Sequence, residues 1–205
     1  MTGLISAGKE ADVYLATYHD APIAIKAFRL YRSSHRGGGP VKLDSTGVLA
    51  AREFEMTRQA WKAGCRVPAP ARRVENMFSM RYLGDELGPA PRLHDIRPED
   101  PGALLDDVLR GVEALARAGV VHADLSAFNI LVHHSQPWFI DFSEAIRVDR
   151  TGSAPWMRLE EARGALNRGL GALRVYFGRF GVTVEPDDFV KRVLGSLDRF
   201  GVLQM

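Results

Sequence analysis

The sequence predicts an α+β fold in two lobes, in which the first lobe is rich in β-strands and the second is mainly helical. Short segments with alternating apolar residues fill the first third of the 205 residues, and such alternation is typical of strands. Longer segments with apolar residues at helical spacing follow from Pro101 onward. Between them, residues 84–91 hold two glycines and two prolines, as linkers do. We expect one domain over residues 1–205, with lobes at about 1–83 and about 84–205.

Three predicted strands open the first lobe. Leu4 and Ile5 begin the first strand, and a turn at Ala7-Gly8 leads into a second strand over residues 12–17. After a polar break, residues 23–28 alternate and are rich in β-forming side chains, which predicts a third strand.

A loop, a helix and a further strand complete the first lobe. Residues 33–39 (Ser-Ser-His-Arg-Gly-Gly-Gly) predict a flexible loop, which we expect to extend to about Gly47. Good helix formers over residues 48–63 predict the first helix. The segment Pro68-Ala69-Pro70 forces extended backbone, and residues 77–83 then predict another strand.

The second lobe has three predicted helices, over residues 101–118, 159–179 and 186–199. The first of them has apolar residues at helical spacing, namely Leu104, Leu105, Val108, Leu109, Val112 and Leu115. Two short apolar runs, at 130–132 and 138–140, precede the second helix. Gln136-Pro137 lies between these runs, which predicts a small hairpin.

The composition excludes several classes of protein. Apolar residues make up 46% of the chain, enough for a core without a disulfide or metal, and charged residues make up 25%, as in ordinary soluble domains. The net charge of +2 is no direct evidence for nucleic-acid binding. Cys65 is the single cysteine, so an internal disulfide is impossible, and no secretory signal or apolar run of about 18 residues occurs. We expect a cytoplasmic protein without a membrane span.

Three polar residues of the second lobe have a spacing that suits phosphoryl transfer. Asn129 lies five residues after Asp124, and Asp141 lies twelve residues after Asn129. Asp141 directly follows the apolar run at 138–140. One carboxylate can orient an attacking hydroxyl and accept its proton, while a second carboxylate and an amide hold Mg²⁺, which prefers oxygen ligands. Taken singly, Asp124 could be a helix cap and Asn129 a turn residue. Taken together, the spacing matches the catalytic and metal-binding segments of protein kinases.

Lys26, in the third predicted strand, has the position of the lysine that binds ATP phosphates in kinases. Its expected partner is a glutamate on the first helix, where Glu53 and Glu55 are both candidates. These two residues lie about 200° apart around a helix, so only one of them can face the lysine.

The turn between the first two predicted strands, Ser6-Ala7-Gly8-Lys9-Glu10-Ala11, lies where kinases place a loop over the phosphates. Gly8 allows close approach of the backbone, and Ser6 and Lys9 offer donors to phosphate oxygens. Such turns are common, so this segment by itself predicts little.

In their order and spacing, these segments resemble the RIO family of atypical serine/threonine kinases. RIO kinases have S-T-G-K-E-A, A-I-K, K-E-F and V-P-x-P segments, an interlobe segment, a catalytic loop H-[GA]-D-L-S-x-[FY]-N and a metal motif I-D-[VF]-S. The similar segments here are residues 6–11, 24–26, 52–54, 67–70, 80–93, 122–129 and 140–143. The resemblance covers roughly residues 5–149 and favours Glu53 as the partner of Lys26.

The resemblance implies a bilobal protein-kinase-like fold with a β-rich N-lobe and a mainly helical, shortened C-lobe. It implies that the cofactors are ATP and Mg²⁺, with Met80 beside the adenine and the backbones of Arg81 and Leu83 bonded to the base. By the same resemblance, Asp124 would be the catalytic base, and Asn129 and Asp141 would hold the metal. Asp141 would also accept phosphate as an aspartyl-phosphate, and a pre-ribosomal particle of the small subunit would be a partner.

Other interpretations remain open at the level of sequence. A small-molecule phosphotransferase also carries H-x-D-x-x-x-x-N, although the Pro-Ala-Pro segment at 89–91 and Ser126 favour a RIO kinase. An ATP-binding scaffold with little turnover is a second alternative. Four residues of the predicted loop are candidates for self-phosphorylation or are merely solubilising: Ser33, Ser34, Ser45 and Thr46.

Overall fold

A computed structural model describes residues 3–29, 43–148 and 155–199. The chain forms two compact units. The first comprises the described residues up to Arg58 together with Pro68–Pro89, and the second comprises Gln59–Val67 and the described residues from Ala90 onward. The second unit therefore includes a short segment from the early part of the chain. The expectation of a single domain with a boundary near residue 84 stays a prediction.

The first unit contains a five-stranded antiparallel sheet. Its strands lie in the order β1-β2-β3-β5-β4. They are β1 (Gly3–Ala7), β2 (Ala11–Tyr18), β3 (Ala21–Phe28), β4 (Pro70–Val74) and β5 (Met77–Arg81). The four strands predicted for this lobe are present, although the last of them ends at Arg81 and not at residue 83. Extended backbone was predicted at the start of β4, which is an edge strand, as suits a strand that begins with proline and lacks that amide hydrogen.

The first helix, α1 (Leu43–Lys62), begins earlier than predicted. The expectation that a flexible loop extends to about Gly47 is wrong, because this stretch is already helical. Thr46 is buried, and Ala50 one turn later packs with the sheet residues Ala11, Phe28 and Phe78. This burial outweighs the helix-breaking tendency of glycine, which is only about 1 kcal/mol. Residues 33–39, with the candidates Ser33 and Ser34, lie outside the described residues.

Three helices of the second unit confirm the predicted helical lobe. They are α2 (Pro101–Arg117), α3 (Pro155–Gly178) and α4 (Pro186–Arg199). Asp100 caps α2, since its side chain accepts a hydrogen bond from the Ala103 amide, and Pro101 follows at the first helical position. The buried face of α2 includes Ala116, whereas the predicted core residue Leu109 is only half-buried.

Short strands and a 3-10 turn join these elements. In the first unit, β6 (Gly84–Asp85) and β7 (Gly88–Pro89) pair within the predicted linker. In the second unit, β8 (Val120–Val121) pairs with β11 (Ile146–Arg147), and η1 (Leu93–Asp95) is the 3-10 turn. No helix in the described ranges is long and apolar enough to cross a membrane.

The predicted hairpin of the second unit is formed by β9 (Ile130–His133) and β10 (Gln136–Phe139). Its turn lies at His134 and Ser135, which have φ values of 50° and 58°. Gln136-Pro137, placed between the strands by sequence analysis, belongs to β10 instead. Two-residue hairpin turns of this kind need positive φ values, which the proline ring forbids.

Candidate active site

In the first unit, Lys26 and Glu53 form a buried ion pair. Lys26 lies on β3, and its Nζ is 2.7 Å from Oε1 of Glu53 on α1. Both side chains are buried. Glu55, the other candidate, instead bonds Arg58 one turn along the helix. The pair is therefore the one that the motif resemblance favoured, although its role in binding phosphates stays a prediction.

The predicted phosphate turn of the first unit is a tight connection between β1 and β2. The Gly8 amide donates to the Ala11 carbonyl at 2.9 Å. A Cβ atom at Gly8 would lie 2.7 Å from that carbonyl oxygen, so no other residue fits without a shift. Lys9 is exposed and Ser6 is half-buried. The turn is therefore closed by its own backbone at Gly8, and its role in binding phosphate stays a prediction.

Asp12 and Arg29 stabilise this turn, and sequence analysis did not identify them. Arg29 donates from Nε to Oδ2 of Asp12 at 2.9 Å and from Nη2 to Oδ1 at 2.6 Å. The hydrogen bonds from Arg29 lower the pKa of Asp12, and a bond from the Gly8 backbone adds to this effect. The Arg29 amide also donates to the Glu10 carbonyl. The contact depends on the register of β2 against β3, for which the sequence gives no signal.

The predicted adenine-binding residues lie at the end of β5. Met80 is half-buried and packs against the core of the first unit, and Leu83 is buried. Arg81 has an exposed side chain, and its amide already donates to the Ala69 carbonyl at 2.9 Å. That amide is therefore committed within the unit. The roles of these three residues stay predictions.

In the second unit, Asp124 and Asn129 are in direct contact. Nδ2 of Asn129 donates to Oδ2 of Asp124 and to its main-chain carbonyl, both at 2.8 Å. The Asn129 amide also donates to the Ser126 carbonyl, which closes the loop between the two residues. Leu125 and Ala127 are buried, whereas Asp124 is exposed. The two buried apolar side chains anchor the loop, while the Asp124 carboxylate stays accessible.

His122 ties this loop to the strand that precedes Asp141. Its Nε2 lies 2.8 Å from the Ile140 carbonyl oxygen. Because a carbonyl only accepts, Nε2 carries the proton in this contact. Burial lowers the pKa of His122, since the charged imidazolium would lose its water. A neutral His122 therefore holds the two segments together. His122 belongs to the sequence motif, but the motif does not show this hydrogen bond.

Asp141 is held in an unusual conformation. Its φ is 65°, a left-handed value that is uncommon outside glycine. Ser143 Oγ donates to Oδ1 of Asp141 at 3.0 Å. The Ile140 amide donates to the Asn129 carbonyl at 3.0 Å, so the segments that carry Asn129 and Asp141 are joined by the hairpin.

The residues fit a magnesium ion chemically. Nδ2 of Asn129 is used by Asp124, so the other end of its amide presents a hard oxygen, and Asp141 supplies carboxylate oxygens. Within the described parts of the chain, no group of three or more His, Cys, Asp and Glu side chains could hold a metal. Asn129 and Asp141 would hold Mg²⁺ through an amide and a carboxylate oxygen, with phosphate and water oxygens as its further ligands.

The structure thus distributes the predicted residues over two separate groups. The first unit carries the phosphate turn, the Lys26–Glu53 pair and the adenine segment. The second unit brings together Asp124, Asn129 and the strand that leads to Asp141. The catalytic and binding roles assigned to these residues stay predictions.

Comparison with known proteins identifies relatives over most of the chain. A family model described as "RIO domain" matches residues 12–188. The RIO-type serine/threonine-protein kinase Rio1 of Haloferax volcanii is 31% identical over 95% of this chain and 69% of that protein. The serine/threonine-protein kinase RIO1 of Caenorhabditis elegans is 31% identical over 77% of this chain and 35% of that protein. The chain therefore spans only about a third of the length of this longer relative.

Solved structures show the same fold. The crystal structure of the Rio2 kinase-ADP/Mg²⁺-phosphoaspartate complex from Chaetomium thermophilum aligns with a TM-score of 0.71 at 21% identity. The alignment covers 97% of this chain and 66% of that one. The α+β, kinase-like fold predicted from sequence is thereby confirmed.

Proposed function

The chain belongs to the RIO family, and from this membership we propose that it is an ATP- and Mg²⁺-dependent phosphotransferase, acting as an atypical serine/threonine kinase or as an ATPase. Its relatives are named serine/threonine-protein kinases. A protein of the same fold was crystallised with ADP and Mg²⁺. The kinase names and the bound ADP and Mg²⁺ are properties of those relatives. In this chain, the support for the proposal comes from contacts in the second unit.

The observation that carries the proposal is the contact of Asn129 with Asp124 beside the segment of Asp141. In kinase action, the acceptor oxygen bonds the γ-phosphorus of ATP while the bond to ADP breaks. Asp124 would accept the proton of the acceptor hydroxyl, or orient the water in an ATPase. Mg²⁺, held by Asn129 and Asp141, supplies positive charge to the phosphate oxygens when it is bound.

We also propose that Asp141 can itself take the phosphoryl group. One of its carboxylate oxygens would attack the γ-phosphorus, ADP would leave, and water would later cleave the resulting acyl phosphate. Carboxylates act as nucleophiles of this kind in ATPases. The hydrogen bond from Ser143 to Oδ1 supports the proposal, because it fixes the orientation of the carboxylate.

The test is incubation of the protein with γ-labelled ATP and Mg²⁺, followed by treatment of the labelled protein with acid and with hydroxylamine. Label that is lost in hydroxylamine, and that is absent from Asp141→Asn, indicates an aspartyl-phosphate. Label that resists both treatments indicates phosphoserine or phosphothreonine and therefore kinase action.

Asp124→Asn is the companion variant. It should retain ATP binding while turnover falls about 10²- to 10⁴-fold, as is usual when a general base is removed. Full turnover in Asp124→Asn would contradict the assigned role. Absence of both label and released phosphate in the unmodified protein would overturn the proposal in favour of an ATP-binding scaffold or a small-molecule substrate.

A pre-ribosomal particle in the cytoplasm is the partner and location that we propose from family resemblance alone. Co-sedimentation with small ribosomal subunits from a lysate, with and without ATP, would test the partner. Sedimentation of the protein only in free fractions under both conditions would contradict it.

A further inference from the structure

An exposed pair of aromatic rings lies beside the catalytic loop of the second unit. The His94 imidazole, on η1, stacks on the Phe128 ring with centroids 3.9 Å apart and planes inclined by 21°. The His94 amide also donates to the Ala127 carbonyl at 2.9 Å. The stack is therefore anchored through both the backbone and the rings, which fixes the orientation of Phe128.

Asp95 extends this pair with a negative charge. Its Oδ1 lies 2.9 Å from Nδ1 of His94. Because a carboxylate oxygen only accepts, Nδ1 carries the proton in this contact. The Asp95 side chain remains 57% exposed, so most of the carboxylate stays accessible to a ligand.

Core packing does not explain the position of Phe128. Phe128 is 48% exposed although His94 stacks on its ring, and the buried neighbours Leu125 and Ala127 already anchor the loop. Phe128 directly precedes Asn129, whose side chain contacts the Asp124 carboxylate. An open aromatic surface thus belongs to the same loop as Asp124, the group proposed to take the proton of the acceptor.

We propose that Phe128, His94 and Asp95 form an acceptor platform, which binds an arginine or lysine side chain close to the serine or threonine that receives phosphate. A cation is attracted to the face of an aromatic ring, and a guanidinium also stacks on it. The Asp95 carboxylate adds an ion pair to the same cation. The platform deepens the proposed kinase function, and its binding step can be measured without turnover.

The experiment compares two fluorescent serine peptides that differ only in two residues, arginine in one and glutamine in the other. Their binding is measured by anisotropy at low ionic strength, where exposed charges are least screened. The arginine peptide should bind the unmodified protein about 5- to 20-fold more tightly, from the combined attraction of ring and carboxylate. Phe128→Leu keeps the apolar bulk but removes the aromatic face, and should weaken the arginine peptide about 2- to 5-fold. Asp95→Asn should act similarly.

Tyr18→Leu is the matched control. Tyr18 is also an exposed aromatic residue beside a histidine, His19, but it lies in the first unit. Its loss should leave the affinity for both peptides unchanged. The platform is refuted if the two peptides bind equally, or if neither Phe128→Leu nor Asp95→Asn weakens the arginine peptide.

Turnover of γ-labelled ATP by the same preparation separates the two proposals. Peptide discrimination without turnover would overturn the proposed function and leave the platform standing. Turnover without discrimination would overturn the platform alone.

Discussion

At the scale of single residues, the orientation of the Asp141 carboxylate depends on Ser143, which belongs to the same sequence motif. The motif alone does not reveal this hydrogen bond. Its backbone has a left-handed φ, a value that few non-glycine residues adopt. Ser143, two residues later, donates a hydrogen bond to Oδ1 of its carboxylate. A hydrogen bond to a charged group is worth about 1.5–3 kcal/mol, enough to select one orientation of the side chain.

Ser143→Ala should raise the Mg²⁺ concentration needed for half-maximal ATP hydrolysis by about 5-fold or more, because the released carboxylate must be ordered again when the ion binds. The measurement is a Mg²⁺ titration at saturating ATP. Ser143→Thr retains the hydroxyl and should stay close to the unmodified protein. An unchanged Mg²⁺ requirement in Ser143→Ala would show that the hydrogen bond does not serve the metal site.

At the scale of elements, a glycine of helix α3 lies against the loop that carries Asp124. A Cβ atom at Gly169 would lie 2.7 Å from Cβ of Leu125, the residue that follows Asp124. Elsewhere in a helix, replacing glycine by alanine stabilises by about 1 kcal/mol. At this contact, the added methyl group should displace the loop.

Gly169→Ala should therefore lower turnover at least about 10-fold and destabilise the protein by about 1–3 kcal/mol, the usual cost of overpacking. Gly171→Ala is the control on the same helix, because nothing lies within 4 Å of its Cβ position. It should leave turnover unchanged. Turnover rates and urea unfolding of both variants provide the comparison, and equal behaviour of the two would contradict the packing argument.

The elements also show what the sequence could predict. The sequence predicts helix α4 over residues 186–199, and these are its observed bounds. The start of α1 was missed because Gly47 disfavours a helix locally, whereas the burial of Thr46 depends on tertiary packing. The predicted position of the hairpin turn was wrong because His134 and Ser135 adopt positive φ values, for which neither residue type gives a clear sequence signal.

The candidate site likewise combines residues that the sequence predicts with contacts that it does not. Motif spacing predicts Lys26, Asp124, Asn129 and Asp141 as site residues, and their roles stay predictions. Contacts around the candidate site were not predictable. The Asp12–Arg29 pair at the predicted phosphate turn requires a strand register, and the His122–Ile140 bond requires the hairpin to return.

At the scale of the whole molecule, buried His122 should make stability depend on pH. Because its folded pKa lies below its unfolded value near 6.5, the unfolded chain binds more protons in mildly acidic solution. The contribution of His122 is fully present above about pH 6.5 and is lost as the pH falls toward the folded pKa.

Urea unfolding at pH 7.5, 6.5 and 5.5 should show the free energy of unfolding decreasing with acidity. His122→Gln keeps an amide donor for the Ile140 carbonyl but cannot titrate, so its stability should fall less steeply over this range. Parallel pH dependence in the two proteins would assign the acid sensitivity to other groups.

The hydrogen bond between Asn129 and Asp124 has a consequence for how this protein can change over generations. A lineage that loses either side chain also alters the surroundings of the other, so the two losses are not independent events. We therefore expect substitutions at positions 124 and 129 to be correlated, although the two positions lie five residues apart along the chain.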